Sequence, residues 1–173
     1  MATGRAAHAE GRETNAYGSY SHAEGRKTEA GYSAHAEGIN TKATGGHSHA
    51  EGQLTESSGP ESHAEGYSTI ASAKAAHAEG YATNALAPHS HAEGNRSTST
   101  GEGSHAEGFN SKAIGQYSHA EGDTTSATAY ASHTEGQATS STGYAAHSEG
   151  YGAKASGDYS HAEGAYTLAT GLV

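Results

Sequence analysis

The sequence predicts an all-β solenoid built from 14-residue coils, and three observations predict it. A His-x-Glu-Gly motif recurs twelve times, at His8, His22, His35, His49, His63, His77, His91, His105, His119, His133, His147 and His161. Every spacing is 14 residues except the 13 between His22 and His35, and so even a period marks one structural unit stacked along an axis. Within each unit small residues alternate with larger ones, which is the period of a strand and not of a helix. Finally, Leu, Ile, Val and Phe supply only nine of 173 residues, too few for an ordinary globular core and low enough to suggest disorder were it not for the repeat.

Each unit divides into two similar halves of seven. Ser104-His105-Ala106-Glu107-Gly108-Phe109-Asn110 is followed by Ser111-Lys112-Ala113-Ile114-Gly115-Gln116-Tyr117. Each half is expected to form a short strand and then a tight turn, with glycine supplying a positive φ. The inward residues are small, such as Thr14, Ala16 and Gly18 or Thr83, Ala85 and Ala87. The interior is therefore thin, and backbone ladders at about 4.8 Å per coil carry much of the order. The Thr14, Thr28, Thr41, Thr55, Thr69, Thr83 column belongs to this inward set, which argues against a flat ice-binding plane of threonines.

The outward residues of the two halves differ. In the second half they vary freely, as in Leu54 and Glu56 or Lys112 and Ile114. In the first half they are always His and Glu. The glutamate column is Glu10, Glu24, Glu37, Glu51, Glu65, Glu79, Glu93, Glu107, Glu121, Glu135, Glu149 and Glu163. A face held fixed while its neighbours drift must meet something equally repetitive, and another copy of the same face is the economical partner.

Irregularities are few. The 13-residue unit loses one residue around Ala30-Gly31-Tyr32, which calls for a shortened turn or a bulge. Pro60 and Pro88 precede His strands, where no ladder donor is lost. The chain opens in mid-unit at Ala2-Thr3-Gly4, and Gly171-Leu172-Val173 leave the pattern. Residues 1–173 therefore read as one array, a fragment of a longer fibrous protein.

Several classes of function are disfavoured. The absence of cysteine excludes a disulfide scaffold and thiolate metal sites. No apolar run approaches the ~20 residues of a membrane helix, and no signal peptide is evident. A formal charge of -10 argues against nucleic acid as a partner. Twelve equivalent His–Glu pairs lack the single distinctive constellation of an enzyme, so no catalytic residues, cofactor or metal are assigned. Imidazole and carboxylate are nonetheless competent metal ligands. The doubled His47-Ser48-His49 and His89-Ser90-His91 are the nearest candidates for a ligand set.

The half-unit Ser-x-Ala-x-Gly-x-x-Ser/Thr-x-Ala-x-Gly resembles the head repeats of trimeric autotransporter adhesins, the YadA-like left-handed parallel β-roll. Its Ser-His-Ala-Glu-Gly variant is similar to repeats in phage and prophage tail-fibre and appendage proteins. The resemblance spans Ala2-Thr3-Gly4 to Ala169-Thr170-Gly171. It implies a homotrimer, a structural and adhesive role, and a place on a virion tail or bacterial cell surface. In the adhesins the first strand usually reads Ser-Val-Ala-Ile-Gly, with Val and Ile lining the threefold core. Here His119 and Glu121 stand at such positions.

All twelve His–Glu pairs are accordingly expected at the trimer interface, as an axial ladder with His⁺ balancing Glu⁻. Such a ladder would raise the histidine pKa. Tyrosines gather at the corners: Tyr20, Tyr32, Tyr117, Tyr130, Tyr144 and Tyr159 before the His strand, Tyr67, Tyr81 and Tyr151 after its Gly. They either cap the roll or contact a host glycan or protein receptor. The leading expectation is a tail-fibre shaft or head, and its close alternative is the head of a bacterial trimeric adhesin. A reading of another class is a monomeric solenoid whose His–Glu face binds metal or a repetitive ligand.

Overall fold

The computed structural model describes residues 1–171. Leu172 and Val173 lie outside the described residues, and with them the end of the expected departure from the pattern. The fold is an all-β parallel solenoid of twelve coils, each with one five-residue and one two-residue strand. Two compact units, Met1–Leu86 and Ala87–Val173, hold six coils each. In the first, the long strands run from His8–Arg12 to His77–Tyr81 and the short ones from Asn15–Ala16 to Asn84–Ala85. In the second they run from His91–Asn95 to His161–Ala165 and from Thr98–Ser99 to Leu168–Ala169.

Within each unit the long strands form one parallel ladder and the short strands another. The register stacks like on like: His8 on His22, Glu10 on Glu24, His105 on His119, Glu107 on Glu121. Ala2 bridges to Ala16, so the chain enters on the short-strand ladder in mid-coil, as its sequence implies. The 13-residue coil keeps full register from His22↔His35 to Arg26↔Ile39. Its deletion is absorbed in the turn at Gly31-Tyr32-Ser33, with no bulge in either strand.

The core contains alanine, serine and threonine. Ala23, Ala36, Ala106, Ala113 and Ala120 are fully buried, as are Thr28, Thr41, Thr69 and Thr83, which confirms the inward threonine column. Serine ties down the turn ahead of the His strand. In eight coils its hydroxyl donates to the carbonyl three residues back, as from Ser104 to Gly101 and from Ser21 to Gly18, both 2.6 Å. Pairs such as Ser99–Ser104, Oγ to Oγ 2.6 Å, link the two halves of a coil across the interior.

The glycines differ from the sequence expectation. Those of the first half do take positive φ, for example +100° at Gly108, but they sit inside the strand. Those of the second half, such as Gly115, are absent from the positive-φ set. They are needed for close approach, since a Cβ on Gly115 would lie 1.9 Å from the carbonyl oxygen of Ala129 in the next coil. The left-handed corners fall instead on mostly non-glycine residues two positions after each half-unit's Gly, or after Ala73, Ala87 and Ala129 in its place, with φ of 49–65°. Leu54 and Tyr117 are examples. Each such residue costs roughly 1–2 kcal/mol intrinsically. The corner is held because its N–H donates to the coil before, as from Tyr117 to Glu102 O and from Leu54 to Ile39 O, both 2.9 Å. Pro60 and Pro88 occupy the preceding turn position and keep the acceptor that the next coil uses, from Ala75 N at 2.9 Å and Gly103 N at 3.0 Å.

Candidate functional site

Strand alternation places Ala106 inward and His105 and Glu107 outward on the same face of the long-strand ladder, and the in-register pairing turns this into two columns. The imidazoles stack on one another along each unit. Ring centroids are 4.6–5.0 Å apart, and the planes are within 24° of parallel. In most coils the ring also faces the glutamate two residues on. Nε2 to Oε2 is 3.4 Å at His22–Glu24, 3.3 Å at His91–Glu93, 3.6 Å at His105–Glu107 and 3.5 Å at His119–Glu121. These are longer than the 2.7–2.9 Å of a charge-assisted N–H···O bond. The columns face each other without being locked together within one chain.

The side chains are half-buried, and the two units differ. Glu24, Glu37, Glu51, Glu65 and Glu79 expose 48–55% of their side chains, whereas Glu93, Glu107, Glu121 and Glu149 expose 30–41%. In the second unit, burial pushes the pKa of His105 and His133 below the usual imidazole value. Stacked neighbours, His119 for His105 and both His119 and His147 for His133, push the same way, against the facing glutamates. For the chain by itself this is opposite to the raised pKa that a closed His⁺–Glu ladder requires.

In the second unit successive coils bring two histidines and one glutamate together. In His91-Glu93-His105, His105-Glu107-His119, His119-Glu121-His133, His133-Glu135-His147 and His147-Glu149-His161, the three ligand atoms lie within 4.8 Å of one another. Of the four metal candidates suggested by the doubled motifs, His91 alone belongs to such a triplet. His47 and His89 sit on left-handed corners, and His47 packs edge-on against Tyr32 at 5.5 Å. The triplets join residues one coil apart. The signal that could have found them is the 14-residue register rather than the local His-Ser-His spacing.

A second array runs along a corner of the second unit. Tyr117, Tyr130, Tyr144 and Tyr159 follow one another at centroid distances of 5.1–5.6 Å, and all are exposed. Tyr67 and Tyr81 make a similar stacked pair in the first unit, 5.1 Å apart. No enclosed pocket forms among the described residues.

Fold and columns together define a parallel β-solenoid repeat protein with a uniform His–Glu face. No protein-family model and no curated protein matches the chain.

Proposed function

We propose that the chain is a structural and adhesive fibre segment. In this reading it forms a homotrimeric, left-handed β-roll that serves as shaft or head of a phage tail fibre or appendage. The observation that carries the reading is the contrast between faces. His and Glu recur without exception on the outward side of all twelve long strands, while the outward residues of the short strands include Asn15, Lys42, Ile70 and Leu168.

Three such faces meeting on an axis would bring each imidazole carboxylates from the other chains in addition to the one two residues on in its own. Desolvating either column alone would cost several kcal/mol per ion. Equal numbers of the two groups make joint burial feasible and fix the register of the chains. The exposed tyrosine ladder supports the presenting role, since tyrosines offer rigid amphipathic surface to a host glycan or protein.

The test is mass by light scattering at about pH 6 and about pH 9, on either side of the imidazole range, with and without a chelator. Three chains at the lower pH, unaffected by chelation, are expected. A single-chain mass at both values overturns the trimer and leaves the His–Glu face open to solvent.

A further inference from the structure

We propose that the second unit binds divalent transition-metal ions of the zinc type between successive coils, each ion held by two stacked histidines and the glutamate between them. Three observations converge. The first is distance. Zinc bonds of about 2.0–2.2 Å in a tetrahedron set neighbouring ligand atoms about 3.3–3.5 Å apart. The His–Glu separations of 3.3, 3.6, 3.5 and 3.7 Å at His91, His105, His119 and His147 already lie there or a few tenths beyond. The second imidazole stands within 4.8 Å and must swing inward by about an ångström to complete that tetrahedron. The strands beneath are fixed by the ladder, so a side-chain torsion suffices.

The second observation is the state of the donors. The Nε2 atoms of His105, His119, His133 and His147 are shielded from solvent and make no hydrogen bond to another protein group. The neutral imidazole ring is the form that coordinates. Imidazole with carboxylate suits zinc, cobalt, nickel or copper, while calcium and magnesium require oxygen donors.

The third is charge and count. His105, His119, His133 and His147 each belong to two triplets, and one Nε2 lone pair serves one ion. Adjacent triplets therefore cannot fill together, and the five reduce to three: His91-Glu93-His105, His119-Glu121-His133 and His147-Glu149-His161. Three divalent ions carry six positive charges, matching the six glutamates from Glu93 to Glu163 in this unit's column. Metal loading would neutralise the face without protonating a single histidine. All five triplets found among the described residues lie in the second unit, in keeping with its less exposed glutamates.

The ligands come from one chain, so the inference does not rest on the trimer. The experiment titrates cobalt(II), then zinc, into the metal-stripped full chain in a non-coordinating buffer. It follows the visible absorption of cobalt and the heat of zinc binding. About three ions per chain with the intense band of tetrahedral cobalt are expected. Glu121→Gln should lower the count to two, because the surviving triplets then allow only two without a shared histidine. Glu65→Gln in the first unit should leave it at three. Absence of uptake, a weak octahedral spectrum, or equal loss in both variants overturns the proposal. Circular dichroism of each variant separates lost ligands from lost fold. Light scattering of the same samples keeps the two readings apart: a loaded monomer retains the metal sites and removes the trimer, and an unloaded trimer does the reverse.

Discussion

Replacing Gly108 by alanine tests the structural basis of the coil most directly. Gly108 sits in the His105–Phe109 strand at φ +100°, beyond the left-handed region that the corner residues occupy. A Cβ there would lie 2.2 Å from the carbonyl oxygen of Gly122 and 3.0 Å from its N and C atoms. These are backbone atoms of the next coil and cannot rotate away. Two costs add. The forbidden φ is worth about 1–3 kcal/mol. Opening the ladder around Gly108–Gly122 removes about two backbone hydrogen bonds at about 0.5–1.5 kcal/mol each. The expected loss is about 3–4 kcal/mol. With a urea dependence of about 2 kcal/mol per molar, the midpoint falls by about 1.5–2 M.

Gly115→Ala is the matched control. Its Cβ would also clash, 1.9 Å from Ala129 O, but it pays no φ penalty. Its column already accommodates Ala73, Ala87 and Ala129, where the first-half column holds glycine in all twelve coils. Gly115→Ala should lose no more than half as much. Far-ultraviolet circular dichroism in urea gives both midpoints. Hydrogen exchange shows whether the damage is confined to neighbouring coils, as nearest-neighbour stacking requires. A Gly108→Ala midpoint within about 0.3 M of the parent, or equal losses at the two sites, refutes the reasoning.

Buried threonines should split by sign. The Thr83 hydroxyl has no hydrogen-bond partner in the protein, so Thr83→Val should gain up to about 1 kcal/mol. The Thr41 hydroxyl donates to Gly52 O at 3.1 Å, and Thr41→Val should lose about 1 kcal/mol; urea midpoints read both. Leu54→Asn should gain about 0.5–1 kcal/mol, because Leu54 is exposed at φ 59° and asparagine tolerates that conformation better; a lower midpoint contradicts the account of the corner. For the single chain, burial and stacking hold His105 and His133 low, so on acidification the unfolded state takes up protons first. Stability is then greatest above about pH 6.5 and falls as pH drops through that value toward the lowered ones. A melting temperature that rises on acidification reverses the sign and marks a closed His⁺–Glu ladder.

The period, the two strands per coil and the sidedness of Ala106 against His105 and Glu107 were legible because register in a solenoid copies one local pattern into every coil. The roles of glycine were harder to read. Gly108 and Gly115 occupy equivalent places in their half-units and both face a close approach from the next coil, yet only Gly108 also takes a positive φ, a difference that local sequence does not encode. Left-handed corners at Leu54, Arg96 and Tyr117 carry no propensity signal, since inter-coil hydrogen bonds impose them. The tighter triplets of the second unit were hidden for the opposite reason. His91-Ala92-Glu93 and His63-Ala64-Glu65 are identical tripeptides, and only side-chain placement distinguishes them.

Self-stacking gives every residue of a solenoid its own copy as a neighbour, which offers a simple explanation for a fixed column. That explanation fails for glutamate. The position two beyond Glu holds Arg12, Ile39, Tyr67, Asn95 and Asp123 in turn, so the ladder tolerates variation there. A column of carboxylates at the inter-coil spacing of about 4.8 Å carries a repulsion of about 0.9 kcal/mol per neighbouring pair even in bulk water. Occasional Lys or Gln substitutions would relieve it, and none occurs in twelve copies. Two proposed cations would relieve it: a protonated histidine facing the column across the axis of the proposed trimer, or, in the second unit, a metal ion between coils. Both act at the same atoms and differ in what they change. Protonation across a trimer axis makes the mass depend on pH, whereas metal held within one chain is read as cobalt or zinc uptake at unchanged mass, so the two measurements together separate the two cations.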